Sequence, residues 1–137
     1  MQARFLSCLG LTYIDGRRWC LSRDLAFRRA DGTTVRAQRG FVTDFASIPR
    51  FFWRVLPPVG DGAGAEYGPA AVIHDALYQS NSLPRSECDA VFNEAMLALS
   101  VTTWRRWALY YAVRVFGGRA YATGPSRYER MTIGRHK

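Results

Sequence analysis

The stretch AAVIHDALYQS, residues 70–80, decides how the rest of the chain must be arranged. Its small and apolar residues predict a buried helix that starts at Pro69, because proline suits the first turn of a helix. His74, Asp75 and Tyr78 interrupt the apolar surface. Residues three and four apart share a face of a helix, so Tyr78 can flank both polar neighbours. Buried polar groups need partners, so the stretch predicts a polar notch completed by residues from elsewhere in the chain.

A partner for His74 is expected on the next helix, in the sequence SECDAVFNEAM. Ser86 caps a predicted helix over about 86–99, and the short NSLP break makes the two helices antiparallel neighbours. Asp89 can then approach His74, fix its tautomer and leave the other ring nitrogen to take a proton from water. We therefore take His74, Asp89 and Tyr78 as candidate catalytic residues. The alternative is structural, because Ser86 and Asp89 also have the spacing of a capping box.

Asp75 is a candidate metal ligand. The Pro/Gly-rich loop 57–69 precedes its helix, and carbonyl groups of residues 59–64 are suited to complete the shell of a hard cation. Calcium takes such mixed shells of carboxylates, carbonyls and water, and zinc is the alternative metal. Two other interpretations stay open: Asp75 pairs with an arginine, or the whole polar group is structural.

The pattern H-D-x-x-Y, followed by D-x-x-F on the next helix, resembles the site of calcium-dependent His-Asp phospholipases. The resemblance covers residues 57–96. It implies that His74 activates water and that Asp75 binds calcium. It also implies that Asp89 orients His74, with Tyr78 in support, and that the substrate is a lipid. The chain departs from those enzymes in its shorter His-to-Asp interval and in lacking the cysteine framework of the secreted forms.

The segments around this helix predict an α+β fold. Asp-Gly pairs at 15–16 and 31–32 stand between short apolar runs, as in tight hairpins, and GFVTDF at 40–45 is a further strand. We expect one domain, residues 1–121, and a polar basic tail, residues 122–137. The domain has a small antiparallel sheet of hairpins over about 10–45 and four helices within about 47–116. The helices are expected at about 47–56, 69–80, 86–99 and 103–116, the last one stopped by Gly117 and Gly118.

Composition narrows the class of protein. The 137 residues are 48% hydrophobic, as in a globular domain, and from their pattern we expect neither a signal peptide nor a membrane-spanning stretch. The net charge of +8 comes almost entirely from arginine, but the arginines are spread along the chain, which does not favour nucleic-acid binding as the main function. The three cysteines lack metal-binding spacing, so we expect free thiols.

Four blocks of sequence resemble a family of small phage and prophage proteins of unknown function. The blocks are GFVTDFASIPRFFW, YGPAAVIHDALY, CDAVFNEAM and WRRWALYYAVRVFGG, and the resemblance covers about residues 25–121. It implies a viral origin and a virion or cell-wall context, so the expected location is the host cytoplasm, a virion or both. It also singles out Asp44 and Ser47, where the last strand leads into the first helix. Asp44 is a candidate metal ligand or histidine partner, and the alternative is a turn carboxylate next to a helix cap at Ser47.

The helix from Thr103 to Phe116 carries aromatic residues with arginines between them. Three interpretations stay open: a core-facing helix, a docking surface for other virion or tail proteins, and a helix at a membrane surface. The leading functional hypothesis is a phage accessory hydrolase with a His-Asp, metal-assisted site for a lipid or cell-envelope bond. The alternative is a non-catalytic virion protein of the tail or neck, in which the His-Asp cluster is a structural polar core.

Overall fold

The computed structural model describes residues 2–15, 18–45, 48 and 67–125, and these residues confirm the α+β fold class. Six short strands come first and four helices follow. The strands are β1 Arg4–Phe5, β2 Leu11–Asp15, β3 Arg18–Leu21, β4 Leu25–Arg28, β5 Thr34–Ala37 and β6 Val42–Thr43. The helices are α1 Gly68–Ser80, α2 Arg85–Ala98, α3 Thr103–Phe116 and α4 Gly118–Ala122.

The strands form two sheets where the sequence predicted one. Their orders are β1-β4-β5 and β2-β3-β6, and every pair is antiparallel. The sequence predicted both hairpins, β2–β3 and β4–β5, but a strand before residue 10 was not expected. The two sheets arise because β3 and β4, consecutive in the chain, each take their second partner from a distant segment, β6 and β1 respectively.

The β4–β5 hairpin shows how its Asp-Gly pair acts. Gly32 has a φ of +92°, which glycine adopts without steric cost, and its N–H donates to the Arg29 carbonyl at 3.0 Å. Asp31 Oδ1 accepts from the Thr33 backbone N–H at 2.9 Å. These local bonds fix the register that pairs Arg28 with Thr34.

Three helices match the sequence predictions closely. α1 carries Pro69 in its first turn and is capped after Ser80 by Asn81, which has a left-handed φ of 51° and donates its N–H to the Leu77 carbonyl at 3.0 Å. α2 corrects the capping prediction: its N-cap is Pro84, without a side-chain capping bond, so Ser86 lies within the first turn. The helix predicted from Ser47 lies outside the described residues. α4 was not predicted.

α1 is the centre of the core. It packs against α2 on one side and against β4, β5 and β6 on the other. Ten of its residues are buried. Because α1 is enclosed by elements from both halves of the chain, its polar side chains lie in the interior. The largest completely buried side chains around it include Phe27, Phe45, Tyr67 and Phe92.

Two further predictions from composition concern the cysteines and the membrane. Cys8, Cys20 and Cys88 are all free thiols, as expected, and burial raises the pKa of the Cys88 thiol to about 12. Among the helices of the described residues, none has the length and hydrophobicity needed to cross a bilayer.

Candidate functional site

Asp89 is the centre of a buried polar group that we call the Asp89 cluster: His74, Tyr78, Asp89 and Arg114. Asp89 Oδ1 lies 2.7 Å from His74 Nε2 and accepts from the Tyr78 hydroxyl at 2.6 Å. Its Oδ2 accepts from Arg114 Nη1 at 2.7 Å. The structure thus brings together the three residues that the sequence nominated as catalytic, His74, Tyr78 and Asp89. Their catalytic role stays a prediction.

The cluster is closed off from solvent. His74, Tyr78 and Asp89 are each 0% exposed, and only the Arg114 side chain reaches water, at 34% exposure. The His74 imidazole packs against Tyr78, with ring centroids 4.1 Å apart, and against Phe92 at 4.7 Å. Aromatic rings therefore cover the histidine that the hydrolase hypothesis requires to activate water.

The protonation states follow from this burial. Desolvation lowers the pKa of His74 and outweighs the opposing effect of Asp89, so the imidazole is neutral near pH 7. Burial acts to raise the pKa of Asp89, but hydrogen bonds from His74, Tyr78 and Arg114 hold it below its ordinary value. Burial, then the bond to Asp89, raises the pKa of the Tyr78 hydroxyl. An ionised Asp89 accepts bonds, so neutral His74 carries its proton on Nε2.

Asp75 belongs to a different contact, although it follows His74 in the chain. Consecutive helical residues point about 100° apart, and Asp75 therefore faces β6 while His74 faces α2. Asp75 Oδ2 accepts from the Thr43 hydroxyl at 2.6 Å and from Gln79 Nε2 at 2.8 Å. Asp75 is 0% exposed. The single polar notch predicted from the sequence is thus two separate contacts, one to α2 and one to β6.

The metal prediction gains no support from the part of the chain that the structure describes. Within it, no group of three or more His, Cys, Asp and Glu residues is arranged to hold a metal ion. Asp44 is half-buried and directly follows β6. Ser47, the predicted helix cap, and residues 59–64, whose carbonyls were expected to complete the metal shell, lie outside the described residues. Calcium or zinc at Asp75 and Asp44 therefore stays a prediction.

Several contributors to the site were missed from the sequence. Arg114 completes the Asp89 cluster from α3, and Arg85 Nη2 donates to the carbonyls of Val113, at 2.9 Å, and of Arg114. No spacing rule links Arg114 to Asp89, because they lie on different helices. The contact of Gln79 with Asp75 could have been predicted, because Gln79 follows Asp75 by four residues and so lies on the same face of the helix.

Gly117 was predicted only as a helix stop, yet it also makes room for the cluster. A Cβ atom at this position would lie 2.8 Å from the Tyr78 hydroxyl and would also clash with the Val113 carbonyl. Only a residue without a side chain lets the end of α3 approach Tyr78 this closely.

Comparison with known proteins places these residues in a family. Residues 19–113 match the family described as "Protein of unknown function (DUF1353)". The chain belongs to this DUF1353 family. The matched residues include His74, Asp75, Tyr78 and Asp89 and end one position before Arg114.

The chain also matches part of a longer curated protein. The chain is similar to "Uncharacterized protein y4jT" of Sinorhizobium fredii (strain NBRC 101917 / NGR234), with 33% identity over 97 residues. The match covers 71% of this chain but only 28% of that relative, so the matched part is less than a third of the relative's length. No solved structure matches the chain significantly.

Proposed function

We propose that this DUF1353 protein is a non-enzymatic assembly protein, a tail or neck component of a phage or prophage particle. In this proposal the Asp89 cluster is a structural polar core. The observation that carries it is the complete burial of His74, Tyr78 and Asp89, which are bonded to one another and each 0% exposed. A hydrolase needs a water molecule and a substrate bond beside its general base.

The cluster has a clear structural role in joining three helices. His74 and Tyr78 come from α1, Asp89 from α2 and Arg114 from α3. The ionised Asp89 carboxylate on α2 thus accepts hydrogen bonds from side chains of both neighbouring helices, α1 and α3. Such an arrangement specifies how the helices pack, because any other packing would leave a buried charge without partners.

A surface suited to assembly lies on the outer face of α3. We call it the α3 aromatic stripe: Trp104, Trp107, Tyr111 and Val115, at spacings of three and four residues. Their exposed fractions are 61%, 39%, 59% and 69% respectively. The opposite face of α3, with Leu109, Ala112 and Val113, is buried in the core. A helix that is apolar on both faces is expected to be covered on both.

The chemistry of the stripe favours a protein partner with acidic groups. Trp107 stacks on Tyr111 with centroids 5.8 Å apart, so the rings form a preorganised surface. The Arg106 guanidinium lies 4.8 Å from the Trp107 ring centroid, and that of Arg105 lies 5.2 Å from the Trp104 ring centroid. Tryptophan, tyrosine and arginine are enriched in the centres of protein interfaces. The net charge of +8 favours an acidic counterpart.

The test is incorporation into particles. The double variant Trp104→Ser/Tyr111→Ser is produced in a strain that makes the particles, and the purified particles are probed for the protein. Tyr13→Ser is the matched control, since Tyr13 is 57% exposed but lies on β2. We expect the wild type and Tyr13→Ser in the particles and the double variant, folded, only in the supernatant. Wild-type protein absent from purified particles would contradict the assembly proposal.

A His-Asp hydrolase acting on a lipid or cell-envelope bond is the second candidate. The observation that favours it is the 2.7 Å contact between His74 Nε2 and Asp89, the arrangement in which a carboxylate orients a general base. In this alternative Nδ1 of His74 takes the proton from water, and calcium is held at Asp75.

Calorimetric titration with calcium and with zinc separates the two candidates. It is run on the wild type and on His74→Ala and Asp75→Asn, each first shown to be folded. Calcium binding that is lost in Asp75→Asn and kept in His74→Ala favours the phospholipase-like function, and lipid hydrolysis is then assayed. Zinc binding lost in both variants favours a metallohydrolase. Binding of neither metal, with both variants melting earlier than the wild type, favours the structural polar core.

A further inference from the structure

A groove runs between β5 and the C-terminal half of α1, on a different part of the molecule from the α3 aromatic stripe. Its volume is about 760 Å³, within the range of ligand sites, which is about 300–1,000 Å³. Apolar side chains of Val35, Ala76, Leu77 and Leu83 contribute to its lining, and Arg36 and Arg39 stand beside them. The groove therefore combines an apolar surface with basic side chains.

The backbone of β5 is open along this groove. β5 is the end strand in the order β1-β4-β5. The Arg29 N–H donates to the Thr33 carbonyl at 2.8 Å, and the register pairs Val35 with Phe27. In an antiparallel pair, alternate residues bond to the neighbouring strand, so the backbone groups of Thr34 and Arg36 point away from β4. Both residues are exposed, and the described part of the chain supplies no strand to pair with them.

Gln79 supports the wall of the groove from inside the core. Its side chain is 3% exposed, and its Oε1 has no hydrogen-bond partner among the described residues. Its amide nitrogen is held by Asp75 Oδ2 at 2.8 Å and lies 3.4 Å from the Val42 carbonyl, which fixes which end of the amide is the oxygen. These bonds tie the C-terminal half of α1, which forms one side of the groove, to Asp75 and to β6.

The charges at the groove favour an acidic ligand. Arg36 Nη1 is 3.9 Å from Asp24, beyond hydrogen-bond distance, and both side chains are about half exposed. In the described part of the chain the Arg39 guanidinium has no ion-pair partner, and only its backbone N–H is engaged, by Asp24 Oδ1 at 2.7 Å. Arg29, by contrast, is committed to Glu94 at 2.9 Å. Arg36 and Arg39 are thus the cations available to a ligand.

We propose that this groove receives an extended, acidic segment of a partner polypeptide, which adds to β5 as a fourth strand of its sheet. Backbone bonds from Thr34 and Arg36 hold the segment, and alternate side chains rest on the apolar surface of α1. The other side chains of the segment point toward Arg36 and Arg39. This inference does not depend on the assembly role of α3, because it rests on a different surface.

The test uses three acetylated, fluorescein-labelled heptapeptides with the native protein. In the first, glutamate alternates with valine, and in the second, lysine replaces glutamate. The third has the first sequence with alternate backbone nitrogens methylated, which removes the donors on one edge. We expect the acidic peptide to bind about tenfold or more tightly than either of the others. We also expect it to slow hydrogen exchange at the amides of Thr34 and Arg36.

Two variants sharpen the test. Arg36→Glu/Arg39→Glu changes exposed side chains only, and we expect it to reverse the preference between the acidic and the basic peptide. Arg36→Pro removes the outward N–H of β5 but no bond to β4, and we expect it to weaken binding of the acidic peptide about tenfold.

Three results would overturn the proposal. One is no binding of the acidic peptide at millimolar concentration. Another is equal binding of the methylated peptide without protection at Thr34 and Arg36, which would mean a ligand that is not an added strand. The third is protection of these amides without peptide that increases with protein concentration, which would identify a second copy of the chain as the occupant.

Discussion

At the scale of single residues, the protein keeps the Asp89 carboxylate in its interior by surrounding it with hydrogen-bond donors. Asp89 stays ionised because three donors converge on it, while His74 stays neutral because burial outweighs the attraction of Asp89. The two side chains are bonded to each other yet respond to pH over different ranges, and this difference can be measured.

The first prediction concerns His74 and pH. Burial lowers its folded-state pKa below the unfolded value of 6.5, so the unfolded chain binds a proton that the folded chain does not. The stabilisation is therefore complete above about pH 6.5 and is lost as the pH falls below it. Urea unfolding between pH 7 and pH 5 should show the free energy of unfolding falling by up to about 1.4 kcal/mol per pH unit.

His74→Gln is the comparison for this measurement. It cannot titrate at this position, so its stability should depend less steeply on pH than that of the wild type between pH 7 and pH 5. Asp89 does not interfere, because a lowered carboxyl pKa costs stability only as the pH falls below the unfolded value of 3.8. Parallel pH profiles for the wild type and His74→Gln would refute the assignment of a neutral, buried imidazole.

The second prediction concerns Asp89→Asn. The asparagine side chain has nearly the same shape as aspartate but carries no charge for Arg114 to pair with. Its N–H₂ group is a donor, and it would face His74, Tyr78 or Arg114, which are donors as well. We expect a loss of about 3–5 kcal/mol in the free energy of unfolding, since one partner of a buried ion pair is removed. Arg114→Met should cost less, because that side chain is 34% exposed and its interaction is screened by solvent. Denaturant titration of both variants measures the difference.

At the scale of elements, the packing of α3 on α1 depends on how closely the two helices approach each other at Gly117. The C-terminal end of α3 lies beside Tyr78 on α1. The two helices can come this close only because residue 117 is a glycine, which has no side chain. Two consecutive glycines follow α3 in the sequence, and they differ in what surrounds them, which provides a matched pair of substitutions.

The third prediction compares Gly117→Ala with Gly118→Ala. A Cβ at Gly117 would lie 2.8 Å from the Tyr78 hydroxyl, so we expect a loss of about 1–3 kcal/mol. A Cβ at Gly118 would be 3.7 Å from Arg85 Nη1, an ordinary contact, and alanine suits the helix α4 that begins there. Thermal unfolding should therefore show a lower Tm for Gly117→Ala and an unchanged or higher Tm for Gly118→Ala. Equal Tm values would contradict the close approach of α3 to Tyr78.

At the scale of the whole molecule, α1 links the helices to the strands through two buried polar contacts on different sides. The Asp89 cluster joins α1 to α2 and α3, and the contact of Asp75 with Thr43 joins α1 to β6. The strand segment and the helical segment thus share one core. We expect them to unfold together.

The fourth prediction tests the link between α1 and β6. Thr43→Val keeps the shape of a completely buried side chain but removes the hydroxyl that donates to Asp75. We expect a loss of about 1–3 kcal/mol, because a buried carboxylate loses a donor, with faster hydrogen exchange in β6 and α1. Thr12→Val, at an exposed position on β2, is the control and should change stability by less than about 0.5 kcal/mol. Equal effects of the two substitutions would argue against the buried link.

The sequence alone determined the local structure: both hairpins, three of the helices and the pairing of His74 with Asp89. Turn residues, apolar periodicity and the short NSLP break act over a few residues, so they can be interpreted without knowing the rest of the chain. Only the tertiary structure decided that the strands divide into two sheets and that Asp75 faces β6 while His74 faces α2. It also decided that Arg114 completes the cluster. These outcomes depend on which distant segments of the chain pack around α1. A local sequence pattern does not specify those segments, because it covers only a few residues.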